Sequence, residues 1–510
     1  MPELVELARL RGSVAALEAA NARLSEQVAA MAEAHRVELA TRDTLIAAQA
    51  DRIAAQADRI AELERQAKRD SANSSKPPSS DSPYQKKGRD RSLREKTGRR
   101  PGKQPGAPGA TLGLSDHPDE IIECAAAACG RCGADLGGQP AARVRRQQVW
   151  DIIAPPPPRV TEYRIFTKVC PCCRALTAGP VPAQLTGRVC YGPLALAVAA
   201  NLVVGHHVPV ARAAVLLRQV TGIAVSTGWM AGIRGKAAAA LAPFMDHVAA
   251  LLATAPALNV DETPVRAAKH LAYVHVAATG YLTHLHTGSR SAADIDAGGV
   301  LPGYTGVLMR DGYAGYAHLT SAAHAWCGAH LLRDLKDIYD FEPTAQAWAS
   351  AMAALLTEAG GHASAARAAG NDRLDDNVLA GLLERYRALA ARGLADNQNR
   401  HTRAARDAKR VARRFRDYED LILRFITDLA VTDFTNNEAE RSVRPVKVQQ
   451  HASGGCWRTL AGLTEFATVQ SYLSTATKWG IDPLDALHQL FTTGPWLPRA
   501  LTPDAIPEAA

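Results

Sequence analysis

The sequence predicts a multidomain α+β protein, and three observations carry that expectation. A long N-terminal stretch almost free of Gly and Pro has heptad-spaced apolar residues. Two C-x-x-C pairs flank a segment of alternating apolar and polar residues. Beyond them, short β-prone runs give way to long alanine-rich segments with helical spacing. A chain of 510 residues is long enough for several domains, at least one with a sizeable core. Apolar residues make up 47% of it, but much of that is alanine and aromatics reach only 5%, so several segments read as alanine-rich helix.

Residues 1–67 are expected to form a coiled coil. Leu10, Leu17, Leu24 and Met31 recur every seventh residue, and Val14 and Val28 take the complementary positions. Asn21 falls at one of these, where a polar residue fixes register and oligomer state. After a skip, Ile46, Ile53 and Ile60 resume the spacing. The expectation is self-association; Ala50 and Ala57 are weak partner positions and leave a single solvated helix as the alternative.

Residues 68–115 are rich in Ser, Pro, Gly and basic side chains, too polar to fold alone. Between Arg65 and Lys103 there are thirteen Lys and Arg against four Asp and Glu, so the net charge of +8 is concentrated here. The tract is either a solvated linker or an arm that orders along DNA phosphates, with Arg99, Arg100 and Lys103 among its contacts.

Residues 116–185 hold Cys129-Gly-Arg-Cys132 and Cys170-Pro-Cys-Cys173. Two such pairs supply four thiolates for one structural Zn²⁺, with Cys172 as the alternative to Cys173. The runs 144–154 and 159–169 alternate like two strands joined by Pro155–Pro158. Residues 186–250 read as helical and helix-turn-helix-like: one helix ends near Gly222 and Ser226 caps the next. Ordinary helix packing is the alternative to DNA reading there.

The N-terminus lacks the basic start and apolar core of a signal peptide, and the apolar run Pro193–Val204 is too short for a bilayer. Nine cysteines, four of them in C-x-x-C pairs, suit metal binding in a reducing compartment. A cytoplasmic protein without a membrane partner is expected.

The chemistry sits in three acids. Asp261 follows the short strand Leu258–Val260, Asp311 follows the strand Thr305–Met309, and Glu440 falls in the first turns of a helix that Asn436 and Asn437 are suited to cap. The strands of a meander, 270–279 and 281–287, lie between the first two. Strand Asp, strand Asp, helix Glu is the layout of an RNase H-like α/β catalytic core, here at residues 251–344 and 431–495, with a helical insertion at 345–430 and a tail at 496–510. Three acids suffice to hold two Mg²⁺ ions, or Mn²⁺, roughly 3.5–4 Å apart for phosphodiester cutting and joining. In the insertion Arg403, Arg406, Arg410 and Arg413 fall on or near one helical stripe, which is either a solvated face or a DNA-backbone surface.

The runs N-S-S-K-P-P-S-S-D, G-K-Q-P-G-A-P-G-A-T-L, V-D-E-T-P-V, D-G-Y-A-G-Y, C-G-A-H and N-N-E-A-E-R-S-V-R-P, with the paired C-x-x-C knuckles, resemble the insertion sequence 66 family of transposases over roughly residues 70–490. The resemblance implies a catalytic triad of Asp261, Asp311 and Glu440. It implies end recognition, strand cleavage and strand transfer on double-stranded DNA, and accessory proteins of the same element. Glu438 is the local competitor of Glu440, but two residues apart on a helix they point about 200° away from each other. Arg441 and Arg444 would grip phosphate, and Cys327 and His330 match a C-x-x-H that follows the second acid. Where the family often has a basic R-K-N segment and paired arginines, this chain has Q-Q-H-A-S-G-G-C-W and L-L-R-D. The alternatives to a transposase are a catalytically silent DNA-binding regulator and an RNase H-like structure-specific nuclease.

Overall fold

The computed structural model describes residues 2–68, 113–152, 157–182, 185, 187–429 and 432–503. Arg99, Arg100 and Lys103 lie outside the described residues. The chain divides into two compact units: Met1–Lys86, Pro243–Gly480 and Leu497–Ala510 form one, and Lys87–Ala242 with Ile481–Trp496 the other. Helices and a mixed sheet make this an α+β protein. No single helix is long and apolar enough to cross a membrane.

Helix α1 (Pro2–Lys68) begins with proline at its first position, where the missing N–H costs nothing, and continues through strong helix formers. Ion pairs one turn apart, Arg36–Glu33 at 2.7 Å and Arg42–Glu38 at 2.7 Å, support it. Its heptad residues Leu10, Val14, Leu17, Leu24, Val28, Met31, Ile46, Ile53 and Ile60 are all exposed.

In the second unit, β1 (Thr167–Val169) and β2 (Leu176–Ala178) form an antiparallel pair around Cys170–Cys173. The expected strands 144–154 and 159–169 do not form among the described residues, apart from β1 itself. The alternation there has no core to bury against: Val149 is 94% exposed, and Ile152 and Val160 are each 90% exposed. A half-buried strand needs a second layer, and the sequence pattern alone does not supply one. Helix α2 (Pro193–Ala200) runs into a π-helical turn, Asn201–Gly205, and α3 (Val210–Thr221) follows. Gly222 ends α3 at φ 75°, the left-handed conformation that glycine adopts without strain. Ser226 caps α4 (Thr227–Ala240), its side chain accepting from the Trp229 N–H. In the first unit, helix α5 (Ala242–Ala253) leads into the sheet.

The sheet of the first unit has five strands: β3 (Ala257–Ala267), β4 (His270–Ala278), β5 (Thr283–Gly288), β6 (Val307–Arg310) and β7 (Ala323–Trp326), with the short α6 (Ala292–Asp296) before β6. Their order is β5-β4-β3-β6-β7. β3, β4 and β5 pair antiparallel; β6 and β7 add in parallel on the other side of β3. Strand β3 does not stop at Asp261 as the sequence suggested. Its ladder with β4 continues to Ala267, and only the parallel ladder with β6 stops, at Asn259. Pro264 is tolerated because β3 has lost one neighbour there. The turn to β4 places Ala268 and Lys269 at φ 49° and 69°, as a two-residue hairpin turn requires.

Helix α7 (Gly328–Phe341) follows β7, and α8 (Ala347–Ala368), α9 (Asp376–Asp396), α10 (Arg403–Asp417) and α11 (Glu419–Thr427) pack with it around Trp348, Tyr386 and Phe415. Buried Asp334 on α7 pairs with Arg414 on α10 and ties the insertion to the sheet unit. Helix α12 (Asn437–Ala452) lies on β3 and β4, and α13 (Leu460–Lys478) on β5. Helix α14 (Pro483–Thr492), capped by Asp482, packs on α2 in the second unit.

Two predictions concern stability. A Cβ on Gly393 would lie 2.6 Å from the Trp348 ring. Gly393→Ala is therefore expected to destabilise the insertion by about 1–3 kcal/mol, read as a lowered urea midpoint. His275 and His286 are cross-strand partners with rings stacked 4.8 Å apart, and His284 lies beside them. Burial drives His275 and His284 from 6.5 down to about 4. Their folded values lie below the unfolded one, so the unfolded chain takes up protons first on acidification. Stability present above pH 6.5 should be lost between pH 6.5 and 4. A urea midpoint unchanged across that window would contradict it.

Candidate active site

Asp261 and Asp311 are brought together by sheet register. Asn259 pairs with Met309 in the parallel ladder, so continuing both strands sets Asp261 beside Asp311, just past the last paired residues. Strands diverge where a parallel ladder ends, which leaves room for side chains to converge. Asp261 accepts from the Glu262 N–H at 2.8 Å and Asp311 from the Tyr313 N–H at 2.8 Å.

The third acid arrives on α12. Asn436 stands at the cap position, but its side chain does not cap the helix. It donates to the Val260 carbonyl at 2.7 Å and accepts from the Asn259 amide at 3.0 Å, while its own N–H points at Cys327 Sγ at 3.2 Å. Asn436 is fully buried, so these bonds have no competition from water. The Gly328 N–H donates to the Phe434 carbonyl at 2.8 Å, fixing the same loop to the start of α7. The first turn of α12 is therefore held one residue away from Asp261.

That register separates the two glutamates. Glu440 lies near enough to Asp261 to add to the raising of its carboxyl, and its Oε1 is 4.0 Å from His330 Nδ1. Glu438 turns away and pairs with Lys478 on α13 at 2.9 Å. Burial, then the neighbouring Glu262, Asp311 and Glu440, push the Asp261 carboxyl well above its ordinary value. Among the described residues no Lys or Arg pairs with Asp261, Asp311 or Glu440.

Residues that sequence reasoning passed over frame the cluster. Glu262, on the opposite face of β3 from Asp261, is buried and accepts from Arg290 at 2.5 Å and from the Tyr316 hydroxyl at 2.9 Å. The Arg290 guanidinium stacks on Tyr313, 3.5 Å from the ring centroid, and the Tyr313 N–H holds Asp311. Burial raises Glu262, with Asp311 adding to it and Arg290 opposing. Arg310 is buried and turns from the acids, donating to His324 Nδ1 at 2.9 Å and to the carbonyls of Asp311 and Tyr313. A second acid beside Asp261 was the visible signal for Glu262; its partners come from distant segments and left none. A cleft lined by Asp311, Tyr313, Trp326, His330, Asp334 and Arg414 opens beside the acids.

The basic candidates stand apart from this cluster. Arg441 is exposed and 3.9 Å from Glu438, and Arg444 is exposed on the same helix. On α10, Arg406 and Arg410 are exposed, the first donating to the His401 carbonyl and the second pairing with Asp407 at 3.1 Å. In the second unit the two C-x-x-C turns have matching backbones: the Cys129 and Cys170 N–H groups donate to the Ala134 and Ala175 carbonyls, each at 2.8 Å. Backbone N–H groups of Arg131 and Cys132 lower the Cys129 thiol, and those of Cys173 and Cys172 lower Cys170. Cys129, Cys132, Cys170 and Cys173 do not gather within 4.8 Å of one another.

Comparison with known proteins gives three matches. Residues 188–464 match the family described as Transposase IS66 family. Residues 7–112 match a family of unknown function. An uncharacterized protein, y4qI of Sinorhizobium fredii (strain NBRC 101917 / NGR234), is 28% identical over 208 residues, which is 38% of this chain and 36% of that relative's length.

The Glu262 network yields a prediction. Glu262→Ala leaves the Tyr316 hydroxyl and Arg290 without their acceptor and should cost about 1–3 kcal/mol of stability. The loss should show as a lower thermal midpoint; an unchanged midpoint would contradict the network.

Proposed function

The chain belongs to the IS66 family of transposases, and from that premise we propose that it binds the ends of a mobile DNA element and carries out metal-dependent strand cleavage and strand transfer at Asp261, Asp311 and Glu440. The observation that carries the reading is the uncompensated crowding of these carboxylates, with Asp261 pushed well up by burial and by its acidic neighbours. Such a cluster fits hard divalent cations, Mg²⁺ or Mn²⁺, which take oxygen ligands and complete their shells with water and substrate phosphate. When bound, paired cations activate a water or 3′-hydroxyl and stabilise the leaving oxygen.

The chain's own residues orient the site. Tyr313 and Arg290 fix Asp311, Asn436 fixes the turn that carries Glu440, and Lys478 keeps Glu438 out of it. One acid on β3, a second just after the adjacent β6 and a third on a helix crossing that sheet support an RNase H-like core. Arg406 and Arg410 on α10, and Arg441 and Arg444 on α12, are exposed cations suited to phosphate contact. The exposed heptad stripe of α1 supports a coiled coil joining copies of the chain. The N–H groups aimed at Cys129 and Cys170 support a structural zinc that would draw both knuckles together.

Three experiments test this. In a Mg²⁺ cleavage assay on the element's own ends, Asp261→Asn, Asp311→Asn and Glu440→Gln should each lose at least about 100-fold in cutting, since even residues outside a metal's ligand set cost 10–100-fold. Glu438→Gln should still cut. Equal loss in the Glu438 variant would reject the register, and full DNA binding without any cutting would favour a regulator. Arg406→Ala and Arg410→Ala should each reduce the salt slope of DNA binding by about one if they touch phosphate. Deleting residues 1–66 should lower the sedimenting mass; an unchanged mass rejects the coiled coil.

A further inference from the structure

Beside the three acids lie two donors that magnesium chemistry does not use, a thiol and an imidazole, and they share Glu440 with it. Cys327, His330 and Glu440 each offer one ligand atom, and these lie within 4.8 Å of one another. Among the described residues this is the sole group of three or more His, Cys, Asp or Glu so arranged. Thiol, imidazole and carboxylate together suit zinc-class cations, whereas Mg²⁺ takes oxygen.

Two further observations point to a ligand. His330 Nδ1 is buried without a hydrogen-bond partner, and Glu440 Oε1 lies 4.0 Å away. A buried imidazole nitrogen left unpaired has a free electron pair aimed at the cluster, or a proton with no acceptor. Cys327 opens α7, where the Asn436 N–H donates to its sulfur at 3.2 Å; burial pushes the thiol up to about 11, and the backbone N–H groups of Asn436, His330 and Ala329 offset this only in part. A cation bound here would supply the positive charge that burial otherwise denies the thiolate. The Asn436 N–H is one of the three groups, so the bond that stitches α12 to α7 also prepares this sulfur.

We propose that Cys327, His330 and Glu440 form a binding site for a zinc-class divalent cation. Bond lengths of about 2.0–2.3 Å require donors roughly 3.3–3.7 Å apart, a closure of about one ångström that side-chain rotation supplies. The Cys327 thiol gives its proton to solvent on binding, and the fourth position is left to water. The site shares Glu440 with the cleavage acids. Resting on the proposed function, zinc held here withdraws that carboxylate from the magnesium site and stops cutting.

The test is a zinc count on the full chain, stripped of metal, reloaded with Zn²⁺ and desalted, with folding followed by circular dichroism. The structural zinc of the knuckles gives a common background. Cys327→Ser and Glu440→Gln should each hold one equivalent fewer than the unchanged chain, and Asp261→Asn should hold the full number. In Co²⁺-loaded samples the thiolate-to-cobalt absorption should shrink in Cys327→Ser and persist in Asp261→Asn. Equal counts in the unchanged chain and both Cys327→Ser and Glu440→Gln would overturn the site. So would loss of the equivalent in Asp261→Asn, which would place the metal among the carboxylates. An unchanged chain that takes up the equivalent yet, assayed in Mg²⁺ with this position free of zinc, never cuts DNA sinks the cleavage reading and leaves the zinc site standing.

Discussion

The site depends on one buried side chain, Asn436. It bonds the β3 backbone one residue before Asp261, bonds the Asn259 side chain, and sends its N–H to Cys327 at the start of α7. Three segments far apart in sequence meet at this residue. A buried amide with one missing partner is costly, so the arrangement has few near alternatives. The rotation of α12 follows, and with it the choice of which glutamate faces the aspartates. The same constraint explains why the insertion can be large: α8 to α11 leave from α7 and return through the 432–436 loop, both fixed near Cys327, without disturbing the strands that carry the acids.

Around that anchor the electrostatics divide by partner. Acids outside the cluster are neutralised: Glu262 by Arg290, Glu438 by Lys478, Asp334 by Arg414. The acids inside it have no such partner among the described residues. Burial and the acids around it raise the proton affinity of Asp261, and a divalent cation is the natural relief. The contrast between paired and unpaired acids separates the candidate site from ordinary surface charge more sharply than the acids' identity does.

Much of this was legible in the sequence, and the reasons differ by element. The strands of the meander, β6 and the helix starts at Ser226 and Asn437 follow from local patterns, and local patterns are written residue by residue. Helix geometry said only that Glu438 and Glu440 cannot face one way; the preference for Glu440 came from the family resemblance. The extension of β3 past Asp261 was hidden by Pro264, which reads as a strand end when the loss of the β6 neighbour is not known. The alternation at 144–166 misled because periodicity describes a face without saying that anything covers it. The cap at Asn436 was placed correctly in sequence, but its side chain serves β3, a tertiary destination no local rule encodes. Arg290 and Tyr316 reach Glu262 from separate loops, and nothing in their own neighbourhoods announces it.

The most direct test of the central claim is anomalous diffraction from Mn²⁺ in crystals of the chain bound to its element-end DNA. The account predicts manganese between the carboxylates of Asp261, Asp311 and Glu440, with Glu438 still on Lys478. Manganese bound elsewhere, or held by Glu438 instead of Glu440, would contradict it.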